Sequence, residues 1–208
     1  GSEATNGCVG ERAEATLGDL GIAFLFAQTH HPALARIAPL RRRLGRRTIF
    51  NLIGPLANPA GVRRQLLGIA RPAYVPIYAE ALQRLGTDHS FVVSGDEGLD
   101  ELSLAGGNEW ADITGQTIAM RRVSPADAGL PTHPIEALRG GDAAFNAAAL
   151  RALLMGEKSA YRDAVLLNAG AALFVAGRPR SIGDGWELAA EVIDGGKATA
   201  KLAELRMR

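Results

Sequence analysis

The pattern of apolar and polar positions predicts alternating strands and helices. Strand-like runs occur at five places: 22–26, 65–70, 90–95, 109–114 and 116–123. The runs at 22–26 and 90–95 are typical of strands buried on both faces, and the run at 65–70 also predicts a strand. The last two predict a pair of strands joined by a turn at Gly115.

Between and after these runs, apolar residues recur at helical spacing. Helices are predicted at 11–21, 31–45, 46–56, 75–86, 142–156, 161–177, 182–196 and 197–208. Within 161–177, the Ala- and Gly-rich face of "LLNAGAALFVAG" would let another backbone approach closely, so we expect that helix to be central. Strands alternating with helices predict an α/β fold with a central, mostly parallel sheet flanked by helices.

Composition and charge narrow the functional class. The chain has 208 residues, of which 47% are hydrophobic, and a net charge of +1, as expected for a globular domain. The balanced charge gives no global argument for binding nucleic acid or a membrane surface. A single cysteine, Cys8, excludes an internal disulfide framework and a thiolate-rich zinc site. No run approaches the roughly 18–20 apolar residues of a membrane span.

An acidic segment follows the predicted strand at 90–95. Four carboxylates lie within "SGDEGLDELSLAGG": Asp96, Glu97, Asp100 and Glu101. Ligands of open α/β sheets gather at the carboxyl ends of strands, and Mg²⁺ prefers carboxylate oxygens, water and substrate phosphates. The adjacent Asp100 and Glu101 are therefore candidate Mg²⁺ ligands. A solvated acidic turn is the alternative, and we favour it for Asp96 and Glu97.

Basic side chains are concentrated in one segment. Residues 36–47 contain six arginines: Arg36, Arg41, Arg42, Arg43, Arg46 and Arg47. A guanidinium turned into a cleft would bind a carboxylate or phosphate in bidentate fashion. A solvated basic face, or contact with nucleic-acid phosphates, is the alternative. Just before this segment, His30 and His31 are candidates for anion binding or acid–base chemistry, with a structural role as the alternative.

Two glycine-containing segments permit either a binding or a structural interpretation. Gly54-Pro55 would let backbone approach a ligand, form a hinge, or simply end a helix. "LRGGD" looks like a phosphate-binding turn, but its Asp142 directly precedes a predicted helix, and we favour an N-cap role. His89 and His133 lie in turn-like surroundings and are assigned no role.

The order of these motifs closely resembles the anthranilate phosphoribosyltransferase family, within glycosyltransferase family 3 and related to the nucleoside phosphorylases. The matching motifs are HHPA (30–33), RTIFNLIGPLANP (47–59) and LDELS (99–103). The resemblance runs from about residue 11 to the C-terminus. It implies transfer of phosphoribose from 5-phosphoribosyl-1-pyrophosphate (PRPP) to the amine of anthranilate, with release of pyrophosphate, in tryptophan biosynthesis.

The resemblance also implies roles for individual residues. Asp100 and Glu101 correspond to the family's Mg²⁺-binding pair. Arg41 falls where the family binds the carboxylate of anthranilate, and the acceptor channel is lined by His31, Gly54 and Pro55. No covalent catalytic residue is implied, since positioning and electrostatics suffice. The expected protein is a cytoplasmic homodimer without a membrane or nucleic-acid partner.

Two loops of the family, Gly-Thr-Gly-Gly-Asp and Lys-His-Gly-Asn-Arg, do not occur in this sequence. We interpret 1–10 as a tag or linker remnant and 11–208 as the large α/β domain. Within it, 42–60 would be a hinge segment that packs on an N-terminal helical domain. We therefore expect this chain to be inactive by itself. The alternatives are a nucleoside phosphorylase-like relative and a nucleic-acid-binding relative of the same fold.

Overall fold

A computed structural model describes residues 3–25, 43 and 52–207. The chain divides into two compact units, residues 1–62 with 203–208 and residues 63–202. Among the described helices, none is both long and apolar enough to cross a bilayer. The helices predicted at 31–45 and 46–56 lie largely outside the described residues.

The first unit contains helix α1 (Glu3–Leu20), which begins before the predicted residue 11. It ends at Gly21, where a φ of +71° needs glycine and the amide donates to the Leu17 carbonyl at 2.8 Å. Residues 22–25 have no regular secondary structure, and Phe24 is 86% exposed. The buried strand predicted at 22–26 is therefore wrong over its described part, because an apolar run alone does not specify a strand partner.

The second unit is built on a four-stranded sheet. In sheet order, its strands are β1 (Arg64–Gly68), β2 (His89–Gly95), β3 (Asn108–Thr114) and β4 (Thr117–Val123). β1 and β2 are parallel, whereas the two other neighbouring pairs are antiparallel. β3 and β4 form the predicted hairpin around Gly115.

The predicted α/β fold is confirmed, but the sheet is mixed rather than mostly parallel. Helix α2 (Val75–Leu85) connects β1 to β2 and permits their parallel pairing. No helix lies between β2 and β3, and a tight turn joins β3 to β4. Each of these two strands therefore runs antiparallel to the strand before it. The remaining helices are α3 (Ala143–Leu154), α4 (Ala160–Val175), α5 (Ile182–Asp194) and α6 (Lys197–Arg206).

Helices cover both faces of the sheet. The amphipathic α2 packs on β2 and β3 with four buried residues: Val75, Tyr78, Ala79 and Leu82. On the other face, α4 packs against β1 and β2, and α5 packs against α4. The core between this face and the helices includes Phe91, Val93, Trp110, Leu167 and Trp186. Every residue of β2 after His89 is buried, as its continuous apolar run predicts.

Candidate functional site

The acidic loop lies between β2 and β3, at the carboxyl ends of the parallel strands β1 and β2. Gly68, the last residue of β1, lies directly against the backbone of Asp100. A Cβ atom on Gly68 would stand 1.7 Å from the Asp100 carbonyl oxygen, so only glycine allows this approach. The contact holds Asp100 beside the end of β1, where ligands of α/β sheets bind.

A tight turn brings the chain back toward Asp100. The Gly95 amide donates to the Leu99 carbonyl at 2.9 Å, and the Gly98 amide donates to the Gly95 carbonyl at 2.9 Å. Gly98 has a φ of +89°, which side chains rarely adopt. The glycines of "SGDEGLD" thus specify a closed turn that ends immediately before Asp100.

Asn168 of α4 holds the backbone immediately after Glu101. Its Oδ1 accepts from the Leu102 amide at 2.9 Å, and its Nδ2 donates to the Leu102 carbonyl at 2.9 Å and the Ala164 carbonyl at 3.0 Å. Sequence reasoning did not single out Asn168. The available signal was one amide side chain inside the apolar run "VLLNAGAAL".

A second asparagine closes the far end of the loop. Oδ1 of the fully buried Asn108 accepts from the Ser103 amide at 2.6 Å, and its Nδ2 donates to the Ser103 and Val123 carbonyls, each at 3.1 Å. The Ser103 hydroxyl donates to the Glu97 carboxylate. This network fixes the loop with side chains that were not predicted to be functional.

The four carboxylates of the loop fall into two pairs. Asp96 forms an ion pair with Arg122, and Glu97 accepts from Ser103. The carboxylates of Asp100 and Glu101 are exposed and have no hydrogen-bond or ion-pair partner among the described residues. Asp96 and Glu97 thus have partners within the second unit, whereas no described residue occupies the carboxylates of Asp100 and Glu101.

The electrostatics of the second pair favour a bound cation. Partial burial, followed by the charge of Asp100, raises the pKa of the Glu101 carboxyl above its usual range. A divalent cation would relieve the repulsion between the two carboxylates. The described residues contain no cluster of three or more His, Cys, Asp or Glu side chains suited to a metal. The pair therefore suits Mg²⁺, which completes its shell with water and substrate oxygens, better than a closed structural zinc site.

The other predicted site residues lie in the first unit or outside the described residues. Gly54 and Pro55 form a single 3₁₀ turn, Gly54–Leu56. Among the described residues, no atom comes within 4 Å of a Cβ built on Gly54, so its surroundings are open. Arg43 is helical and exposed. The remaining candidates all lie outside the described residues: His30, His31, Arg36, Arg41, Arg42, Arg46 and Arg47.

The "LRGGD" turn is a helix cap. Asp142 accepts from the Phe145 amide at 2.8 Å, which confirms the predicted N-cap of α3. In the same turn Asn146 bonds both backbone groups of Gly141, accepting from its amide at 2.9 Å and donating to its carbonyl at 3.0 Å. These bonds satisfy the turn internally.

His133, to which sequence reasoning gave no role, attaches a further segment to the acidic loop. Its amide donates to the Leu104 carbonyl at 3.0 Å, and its Nε2 lies 3.0 Å from the Asp163 carboxylate on α4. Helix α4 thus contacts the acidic loop directly through Asn168 and indirectly through His133.

Comparison with known proteins connects this geometry to one family. Residues 8–199 match the family model described as "Glycosyl transferase family, a/b domain". The anthranilate phosphoribosyltransferase of Novosphingobium aromaticivorans is 69% identical over 192 residues, which cover 92% of this chain and 58% of that protein. The chain therefore spans a little more than half the length of this curated relative.

Solved structures show the same fold. The anthranilate phosphoribosyltransferase of Thermus thermophilus superimposes with a TM-score of 0.86 at 43% identity, covering 93% of this chain and 57% of that one. The Saccharomyces cerevisiae enzyme in complex with PRPP and Mg gives a TM-score of 0.75 at 26% identity, covering 83% and 50%. The same yeast enzyme in complex with 4-fluoroanthranilate gives a TM-score of 0.81 at 26% identity, covering 91% of this chain and 56% of that one.

Proposed function

Because this chain belongs to the glycosyl transferase family, a/b domain, we propose that the protein containing it is an anthranilate phosphoribosyltransferase. It transfers phosphoribose from PRPP to the amine of anthranilate and releases pyrophosphate, as a step of tryptophan biosynthesis. The similarity to the transferases of Novosphingobium and Thermus supports this activity over the nucleoside phosphorylase and nucleic-acid-binding alternatives.

The observation that carries the proposal is the free carboxylate pair at the ends of β1 and β2. Asp100 and Glu101 have no partner among the described residues, and their backbone is fixed on both sides. In the proposed site they would hold Mg²⁺, which when bound would neutralise the charge of the departing pyrophosphate. The Mg and PRPP bound to the yeast relative support this assignment.

The proposed reaction needs no side chain as a nucleophile or as a general acid or base. The anthranilate nitrogen forms a bond to C1′ of the ribose while the C1′–O bond to pyrophosphate breaks, and the bonding pair leaves with pyrophosphate. The extra proton on the new secondary amine is lost to water. Asp100 and Glu101 lie on a backbone that is fixed before the reaction, and their carboxylates would hold Mg²⁺ there.

The acceptor side rests on residues predicted from the family resemblance. Arg41 binds the carboxylate of anthranilate in bidentate fashion, while His31, Gly54 and Pro55 line the channel. The yeast complex with 4-fluoroanthranilate supports an acceptor of this chemical class. The proposed protein is a homodimer that acts in the cytoplasm.

A test uses the whole protein that carries this chain. The double variant Asp100→Asn, Glu101→Gln removes both charges without changing side-chain size. We expect Mg²⁺-dependent consumption of anthranilate, followed by its fluorescence, to fall by about 100-fold or more, the effect of removing a preorganised electrostatic group.

The matched control is Asp96→Asn, which removes a charge from the same loop but only breaks an exposed ion pair. We expect it to keep activity within about threefold, since exposed ion pairs contribute little. Full activity of the double variant would overturn the assignment of the metal pair.

A further inference from the structure

Among the described residues, the contacts that hold the Asp100–Glu101 segment in place are made to its backbone. Neither carboxylate has a side-chain partner among the described residues that could orient it. The segment 99–102 is instead held at three points. The Gly95 amide bonds the Leu99 carbonyl, Gly68 packs on the Asp100 carbonyl, and Asn168 bonds Leu102.

Of these three points, Asn168 alone is a side chain. Leu102 is 0% exposed, so water cannot replace the two bonds that Asn168 makes to its amide and carbonyl. Only a group with a donor and an acceptor at fixed separation can satisfy both, and a side-chain amide is such a group. Removing it would leave two buried backbone groups of Leu102 unpaired and release the chain next to Glu101.

Helix α4 gives Asn168 a rigid base. The preceding residue, Leu167, is fully buried in the core, and Ala171 on the next turn is also fully buried. The third bond of the amide, to the Ala164 carbonyl, fixes the side chain against its own helix. The position of Leu102, and hence of Glu101, is thereby tied to the helix that covers the sheet.

We propose that Asn168 is a positioning residue for the Asp100–Glu101 pair, holding the Leu102 backbone so that both carboxylates face one divalent cation. The inference rests on the proposed function of the pair. Groups that orient the ligands of a metal site typically change metal affinity by about 10–100-fold when removed.

The test measures Mn²⁺ binding to this chain, by electron paramagnetic resonance of free Mn²⁺ and by broadening of backbone amide NMR signals. In the wild type, broadening should be strongest around residues 100–102. Asn168→Ala and Asn168→Leu both remove the two bonds to Leu102, but Leu keeps the number and branching of the side-chain heavy atoms. We expect both variants to weaken Mn²⁺ affinity by about tenfold at a temperature where each is fully folded.

Asn146→Ala is the matched control, because Asn146 makes the same pair of bonds to the Gly141 backbone away from the acidic loop. We expect it to leave Mn²⁺ affinity well above that of the Asn168 variants, because no group that orients a metal ligand is removed. Equal weakening in the control and the Asn168 variants would indicate a general loss of stability and would overturn the proposal. Wild-type affinity in folded Asn168→Leu would overturn it as well.

A third variant separates this inference from the proposed function. Asp100→Asn, Glu101→Gln should abolish localised Mn²⁺ binding; if it does not, the metal assignment itself fails. If it does but the Asn168 variants bind normally, only the positioning role fails. Should the Asn168 variants not fold, amide hydrogen exchange in the wild type decides. If the Leu102 amide exchanges as slowly as the amides of β2, the bonds from Asn168 to Leu102 hold the backbone as proposed. Rapid exchange of the Leu102 amide would overturn the proposal.

Discussion

Glu101 occupies a place that is unfavourable for a charged carboxyl when no cation is bound. Partial burial and the adjacent Asp100 both raise its pKa, so the native state holds this proton more tightly than the unfolded chain does. The contribution of Glu101 to the free energy of unfolding is therefore largest below the ordinary pKa of a glutamate. It declines as pH rises through the raised native pKa.

Glu101→Gln should accordingly stabilise the metal-free chain at neutral pH. We expect a gain of less than about 1 kcal/mol in the free energy of unfolding at pH 7 with a chelator, since solvent screens the charge of this only partly buried side chain. No gain is expected at pH 3, where the native Glu101 is already protonated. Urea unfolding of the variant and the wild type at pH 7 and at pH 3 measures these two differences. A loss of stability in the variant at pH 7 would contradict the raised pKa of Glu101.

At the scale of secondary-structure elements, the close packing of α4 on α5 supports the helix that carries Asn168. Gly170 of α4 and Gly185 of α5 lie at the contact. A Cβ on Gly170 would stand 2.2 Å from Cδ1 of Trp186, and one on Gly185 would stand 2.5 Å from the Gly170 carbonyl. The two helices can approach this closely only where neither has a side chain, which explains the small residues of α4.

Gly170→Ala should therefore destabilise the chain despite the higher helix propensity of alanine. We expect a loss of about 1–3 kcal/mol, the usual effect of overpacking a core, measured by urea unfolding. Gly183→Ala in α5 is the control, because its nearest neighbour, Oγ of Ser181, lies 3.7 Å from the added Cβ. That change should be neutral or stabilising by up to about 1 kcal/mol. Equal effects of the two variants would contradict the packing argument.

At the scale of the whole molecule, the chain spans a little more than half the length of the relatives that it matches. Among the described residues, the contacts that hold the acidic pair come from Gly68, Gly95 and Asn168, which lie within residues 63–202. The described support of the proposed metal pair thus lies in one unit, whereas the Gly-Thr-Gly-Gly-Asp and Lys-His-Gly-Asn-Arg loops expected from the family resemblance do not occur in this sequence.

We therefore expect this chain to bind Mn²⁺ locally but to show no phosphoribosyl transfer by itself. The measurement is anthranilate fluorescence at high protein, PRPP and Mg²⁺ concentrations, with the whole protein as the positive control. Turnover that requires Mg²⁺ and disappears in Asp100→Asn, Glu101→Gln would contradict the prediction, because it would show that this chain holds PRPP without those motifs.

The sequence by itself determined the α/β class, the hairpin at Gly115, the Asp142 cap and the family. These depend on local periodicity, turn residues and motif order, which act over short stretches of chain. It also indicated Asp100 and Glu101 as a pair, through their place after a buried strand. The mixed pairing of the sheet was missed, because strand direction depends on whether the chain between two strands crosses back.

Only the tertiary structure decided which carboxylates are free and what holds them. Arg122 is far from Asp96 in sequence, and Gly68 and Asn168 are far from Asp100 and Leu102, so no local pattern connects them. Their contacts arise because β1, β2 and α4 meet at one edge of the sheet. Buried backbone groups there must find partners, and Asn168 satisfies that requirement across 66 positions of sequence.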